Sequence, residues 1–277
     1  MRGYVQPVAE LRTALADALG PLYRVEREVR PVGDCRLFVA RESPAGPDLL
    51  VKVLPGALSL AMNAPLFERE VILLADQLGH QGLVAPRGAG RAGPFVYHTR
   101  AFVEGTTLRA WLDNHGAVPL ARAVEILRGV LDALAHAHAA QLAHGDLKPE
   151  NVLLSEGRTV VADAGIVGAV GRSLTAGSAA MASAALCAPA YVPPGRGEGA
   201  EPPPPPPPAT PRDDMFAVGV LVNEMLTGRP PLPEPEPLDA SRKLPPWLPE
   251  LLRRCGAKKA AARWSDAGEA LAAMRRA

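Results

Sequence analysis

The sequence predicts an α+β protein in two lobes, a β-rich first part followed by a helical one. Two observations carry this. Residues 22 to 54 hold "LYRVEREV", "CRLFVARE" and "DLLVKVL", short β-prone runs separated by the turn-forming "RPVGD" and "SPAGP". From about residue 106 onward, apolar residues recur at helical spacing, most clearly in "PLARAVEILRGVLDALAHAHAAQLAHG", which ends at Gly145. Apolar residues make up 48% of the 277, enough for a sizeable core.

The elements follow in order. Residues 1–21 read as an N-terminal extension helix. After the three strands, "APLFEREVILLADQLG" has helical periodicity and stops at a glycine, and "PFVYHTRAFVEG" returns to strand. The predicted division is an N-lobe over 22–102, a hinge at 103–105 and a C-lobe over 106–277. In the C-lobe, "VLLSEGRTVVADAG" reads as two short strands around a turn, and "DDMFAVGVLVNEMLTG" as a nearly all-apolar, buried helix. "LPPWLPELLRRCG" and "SDAGEALAAMRR" add two helices. Residues 195–211 form a Pro-rich insertion. Its seven consecutive prolines, 202 to 208, make a stiff polyproline II rod. An exposed insertion is the plainer reading; a partner with a proline-binding domain is the other.

Composition excludes several classes. A net charge of +1 gives no reason to expect a nucleic-acid or membrane-surface partner. Cys35, Cys187 and Cys255 are far apart and lack metal-ligand spacing, as expected of thiols in a reducing compartment. No secretion signal is visible, and no apolar run reaches the roughly 18 residues of a membrane span. "TAGSAAMASAALCAPAYV" comes closest, and its alanines and serines read as a loop. The expectation is a cytoplasmic protein without a membrane span.

The chemistry is concentrated in "LAHGDLKPENVLL", residues 142 to 154. Phosphoryl transfer needs metal ions across the phosphates, a cationic anchor and an acceptor for the incoming hydroxyl's proton. Asp146 is the candidate base, and Lys148 can neutralise the transferring group. Asn151 and Asp163 offer the hard oxygens that suit Mg²⁺. Lys52, on "LLVKVL", can hold the α- and β-phosphates. Among apolar neighbours it needs a counter-charge. Glu70 is placed to supply it, with Glu68 second because it falls on another helix face. Taken singly, each residue has a plainer explanation: a strand lysine snorkels, an Asp-Gly or Asn turn is only a turn. His136, His138 and His144 read as core or solvated histidines. The ordered set of Lys52, Glu70, "HGDLKPEN" and "ADAG" decides the matter.

That set resembles the protein kinases of bacterial serine/threonine type over about residues 22 to 275. The resemblance implies a two-lobed protein-kinase-like fold, ATP with Mg²⁺ (or Mn²⁺), and a protein substrate phosphorylated on serine or threonine. It implies Lys52 as the ATP lysine with Glu70 as its partner, Asp146 as base, Lys148 as phosphate contact, and Asn151 and Asp163 as metal ligands. Gly33, Leu37, Leu50, Phe102 and Leu153 would line the nucleotide site, with Thr99 or Arg100 at its back. Asp214 would anchor the buried helix, and Arg263 is similar to a late structural arginine.

The chain also departs from the pattern. The three signature glycines of the phosphate loop become Arg30, Val32 and Cys35, leaving Gly33. Leu50 stands for an alanine, Ala164 for the phenylalanine of the metal motif, and Gly195 for the glutamate that would pair with Arg263. Gly145 stands for the arginine that binds an activation-loop phosphate, so activity independent of that phosphorylation is expected. The alternatives are a pseudokinase acting as a nucleotide-binding or scaffold module and, last, a small-molecule phosphotransferase, whose loop can also open with "HGD".

Overall fold

The computed structural model describes residues 8–43, 45–175, 185–194, 208–231 and 243–276. Residues 195–207 of the Pro-rich insertion, with Gly195, lie outside them. Along the chain run α1 (Val8–Leu19), β1 (Tyr23–Val32), β2 (Cys35–Glu42), β3 (Asp48–Val53), α2 (Gly56–Leu60), α3 (Ala64–Gln77), β4 (Leu83–Val84), β5 (Pro86–Ala92), β6 (Phe95–Ala101), β7 (Thr106–Thr107), α4 (Leu108–His115), α5 (Leu120–Ala139), β8 (Val152–Ser155), β9 (Arg158–Ala162), α6 (Ile166–Ser173), α7 (Pro211–Thr227), α8 (Trp247–Cys255) and α9 (Ala267–Arg276). They form two compact units. The first takes the described parts of Met1–Gln77, Ala85–Val103 and Ala169–Leu186; the second takes Leu78–Val84, Glu104–Gly168 and Cys187–Ala277.

The first unit is an antiparallel sheet in the order β1-β2-β3-β6-β5. β3 lies at its centre, and its "LLVKV" is buried on both faces. One face packs on α1: Leu11 and Leu15 are fully buried against Val25, Phe38, Ala40, Val51 and Val53. Arg12 fixes the helix by donating to the carbonyls of Val25 and Glu26 at 2.7 Å each. Those carbonyls sit at a bulge, where the β1–β2 register slips between Val25 and Arg27. The segment expected as an N-terminal extension is thus a layer of this unit. On the opposite face α3 packs through Phe67, whose ring meets His98 edge-on at 6.4 Å.

The second unit carries the sheet β4-β9-β8-β7. β4 pairs with β9 in parallel, so residues 78–84 join this unit and not the first lobe, to which the sequence assigned them. The β8–β9 hairpin turns at Glu156 and Gly157, both at positive φ. The expected buried helix is α7. Asp213 closes its first turn by accepting the Thr210 amide at 2.9 Å, and Pro211 opens it. It stops at Gly228, φ +68°, where a Cβ would come within 2.3 Å of the Ala117 nitrogen; only glycine fits.

Helix α6 lies just ahead of the alanine-rich "TAGSAAMASAALCAPAYV", in a stretch to which the sequence assigned no element. Its continuation is laced to the residues before α3. The Asn63 amide donates to Ser173 O at 2.8 Å, and the Thr175 amide to Ala61 O at 3.0 Å. Met62 and Leu174 form a β-bridge between them. The described residues of 169–186 belong with the first unit.

Candidate active site

The catalytic segment of the second unit hangs from one buried carboxylate. Asp214, on α7, accepts the amides of His144 at 2.6 Å and Gly145 at 2.9 Å. It also takes a hydrogen bond from His138 Nε2, on α5, at 2.9 Å. His138 Nδ1 accepts the Ala267 amide, which assigns its proton to Nε2. His144 accepts the Asp146 amide at Nδ1 and donates from Nε2 to Ala162 O at 3.0 Å. Both histidines are framework residues, as the sequence suggested.

Gly145 answers a question of local geometry. Its φ is +79°, the left-handed region that glycine enters without a Cβ penalty. Its amide is spent on Asp214.

Asp146, Lys148 and Asn151 come together. Lys148 Nζ lies 2.7 and 2.9 Å from the two Asp146 oxygens. Asn151 Nδ2 donates to Asp146 O at 2.8 Å and Oδ2 at 3.1 Å. All three are buried. Because the Asn151 amide nitrogen is engaged, its Oδ1 is left as a hard acceptor. Asp163 sits at the same end of the β8–β9 hairpin, since Val152 pairs with Val161 and the two residues flank that pair. Its φ of +64° is a strained value for a non-glycine residue, of the kind kept at functional positions. An amide oxygen and a carboxylate are the donor chemistry Mg²⁺ takes alongside phosphate oxygens. Among the described residues no cluster of three or more His, Cys, Asp or Glu could hold a metal without such help. Leu153, on β8, pairs with Val160 and Thr107.

The remaining expected residues belong to the first unit. Lys52 is buried on β3, opposite Leu37 on β2 and His98 on β6. One pleat along, Leu50 lies between Val39 and Arg100. Directly paired residues share a face, so Leu37, Leu50, Lys52, His98 and Arg100 all line the face away from α1. Arg100 shares the face of Lys52, while Thr99 turns the other way and bonds Gly88 O at 3.3 Å. Phe102 follows β6 beneath the Arg27 guanidinium, 5.8 Å from its ring centre. Gly33 occupies the tight β1–β2 turn, inside the Val32–Cys35 pair.

One expected pairing is corrected. Glu70 bonds Arg172 Nε at 2.6 Å, and not Lys52. Glu70 lies on the side of α3 that meets the α6 segment, so a guanidinium from that segment takes its charge.

The sequence profile described as the protein kinase domain matches residues 51–270, most of the chain. This chain belongs to the protein kinase family. It is 34% identical over 208 residues to the serine/threonine-protein kinase PknL of Mycobacterium tuberculosis, covering 69% of this chain and 49% of PknL. It is 31% identical over 207 residues to PknB of Mycolicibacterium smegmatis, covering 72% and 31%. The chain thus spans half or less of the length of these curated relatives. Its fold is similar to that of the M. tuberculosis PknI kinase domain, with TM-score 0.70, 22% identity, and 92% and 95% of the two chains covered. It is likewise similar to Rad53 in complex with AMP-PNP, with TM-score 0.68, 20% identity, and 94% and 66% covered.

Within this kinase fold the second unit holds a network that the motifs did not reveal. Arg109, on α4, pairs with Glu224 on α7 at 2.6 Å and with Glu150 at 3.0 Å. The Tyr191 hydroxyl donates to the same Glu224 carboxylate. Burial raises the Tyr191 hydroxyl's pKa, and the neighbouring Glu224 charge raises it further. Burial lowers that of Arg109, but its two glutamates outweigh this and raise it overall. Glu150 sits between Lys148 and Asn151, so the network braces the catalytic segment. A small, partly open hollow lies beside it, lined by Gly145, Asp146, Leu147, Cys187, Tyr191 and Val192. The available signal was Glu224 itself, a charge in the apolar stretch that follows Asp214 on α7. Arg263 is also buried. It donates to Ala257 O at 2.9 Å and reaches Asp213 at 3.4 Å. Its expected pairing position, Gly195, lies outside the described residues.

Proposed function

We propose that this chain is a serine/threonine protein kinase that transfers a nucleoside triphosphate's γ-phosphate, ATP being the expected donor, to a protein hydroxyl. The observation that carries this is the Asp146–Lys148–Asn151 cluster, held on Asp214. The acceptor hydroxyl oxygen forms a bond to the γ-phosphorus, the bond to the β–γ bridging oxygen breaks, and the nucleoside diphosphate leaves with its electron pair. Asp146 accepts the hydroxyl proton. Lys148, already at the Asp146 carboxylate, balances negative charge on the transferring group. Asn151 and Asp163 would hold Mg²⁺ or Mn²⁺, which supplies charge neutralisation across the phosphates. Lys52 would hold the α- and β-phosphates against the sheet face it shares with Leu37 and Leu50.

Gly145 brings no guanidinium to an activation-segment phosphate, which supports activity without that modification. A partner at the polyproline run and a cytoplasmic setting are part of the same reading. Among the described residues no helix is long and apolar enough to cross a membrane. The second reading is a nucleotide-binding scaffold. The side chains Arg30, Val32 and Cys35, at positions where backbone amides close over phosphates, favour it.

The test incubates the chain with Mg–ATP, a peptide pool containing Ser, Thr and Tyr, and a panel of hydroxylated small molecules including aminoglycosides. Phosphate on Ser or Thr supports the proposal. Phosphate only on a small molecule, or none at all while the nucleotide binds, contradicts it.

A further inference from the structure

We infer that the exposed face of α3 joins two copies of this chain, the two helices running antiparallel about a two-fold axis that passes between Ile72 and Leu73. α3 buries Ala64, Phe67, Val71 and Leu74 in the first unit. With about 100° of rotation per residue, its opposite face carries Arg69, Ile72, Leu73 and Asp76, all exposed. Ile72 and Leu73 are 51% and 48% exposed. A single apolar residue at a surface is ordinary. Two adjacent ones, on a helix whose buried stripe already faces the sheet, make an apolar centre that water meets and a partner would cover.

The charges around that centre name the occupant. Arg69 and Asp76 stand on either side of it, each about 5 Å from its midpoint along the helix axis. Among the described residues neither has an ion-pair partner. A two-fold axis through the midpoint exchanges the two positions. Arg69 then meets the partner's Asp76, and Asp76 the partner's Arg69, while Ile72 packs on the partner's Leu73 and Leu73 on the partner's Ile72. The same patch is thus complementary to itself, apolar at the centre and charged at the rim. A parallel pairing would set Arg69 against Arg69 and Asp76 against Asp76, so the charges select the antiparallel one. Exposed pairs add little affinity and chiefly fix register. One helix face is a small interface, so the association is weak and reversible. Glu70 lies about 100° further round the helix, against Arg172, and stays outside the paired face.

The experiment is sedimentation equilibrium of the full chain over a range of concentrations, with circular dichroism to confirm that each variant is folded. Wild type should show a monomer–dimer equilibrium with a dissociation constant of roughly 1–100 μM, as suits a small interface. The double variant Ile72→Glu with Leu73→Glu should stay monomeric. Arg69→Asp and Asp76→Arg each turn two attractive contacts into repulsive ones, and each should weaken association about tenfold. Combining Arg69→Asp with Asp76→Arg restores opposite charges at both places and should recover most of the wild-type affinity. A wild type that stays monomeric overturns the inference and leaves this face to a different protein. A dimer that survives in folded Ile72→Glu with Leu73→Glu also overturns it. So does a combined charge exchange that associates no better than either single variant.

Discussion

The Glu70 carboxylate lies 2.6 Å from Arg172 Nε, so the side chain expected beside Lys52 is held by the helix that follows Asp163-Ala164-Gly165. The Arg172 side chain is about half exposed, and such a pair contributes at most about 1 kcal/mol. Its interest is therefore one of position and not of stability. Arg172→Ala should change the urea midpoint little yet raise Mg–nucleotide affinity several-fold, because Glu70 becomes available to Lys52. Unchanged affinity would reduce the pair to a surface contact.

Gly145→Ala isolates a backbone cost. A Cβ there would meet Ala209 and Val167 at 3.5 and 3.6 Å, ordinary contact, so space is not the obstacle. The φ of +79° is. We expect a loss of about 1 kcal/mol, left-handed strain partly offset by the lower entropy of the unfolded chain. Chemical denaturation measures it. A loss above about 3 kcal/mol would mean that the site tolerates no side chain at all.

Leu15→Ala tests whether α1 is part of the first unit's core. Leu15 is fully buried against the sheet, and its truncation should cost roughly 2–5 kcal/mol. Asp17→Asn, on the exposed side of the same helix, should change stability by less than about 0.5 kcal/mol. Equal, small effects of the two changes would show that α1 is a dispensable extension.

Glu269 gives a pH dependence with a definite sign. Burial raises its pKa, but the Ser265 amide and hydroxyl and Arg254 outweigh this and hold it below the ordinary 4.5. A carboxylate with a depressed folded-state pKa stabilises the fold above the unfolded value, and that contribution disappears as pH falls through the folded value. The melting-temperature difference between wild type and Glu269→Gln should be constant above about pH 5.5 and shrink as pH falls below 4.5. A difference that grows on acidification would contradict this.

Much of this molecule was legible because its signals are local. "LLVKVL" and "CRLFVARE" became the paired strands β3 and β2, and "HGDLKPEN" became a cluster whose groups lie within five residues of one another. What stayed hidden depends on distant partners. Arg109, Tyr191 and Glu224 meet only through tertiary packing, and no spacing rule links them. Glu70 was assigned to Lys52 because both stood at the expected intervals. Its actual partner sits on α6, in a stretch to which the sequence assigned no element. Thr99 and Arg100 could not be told apart until the β3–β6 register fixed which one faces the Lys52 side.

The account's central claim is that Asp146 serves as the base of a working phosphotransferase. Intact-mass spectrometry of a Ser/Thr peptide pool with Mg–ATP, wild type beside Asp146→Asn, measures it most directly. The account predicts phosphate added by wild type and none by Asp146→Asn, with both proteins stabilised by nucleotide. Equal transfer by the two, or nucleotide-stabilised wild type that transfers nothing, would contradict it.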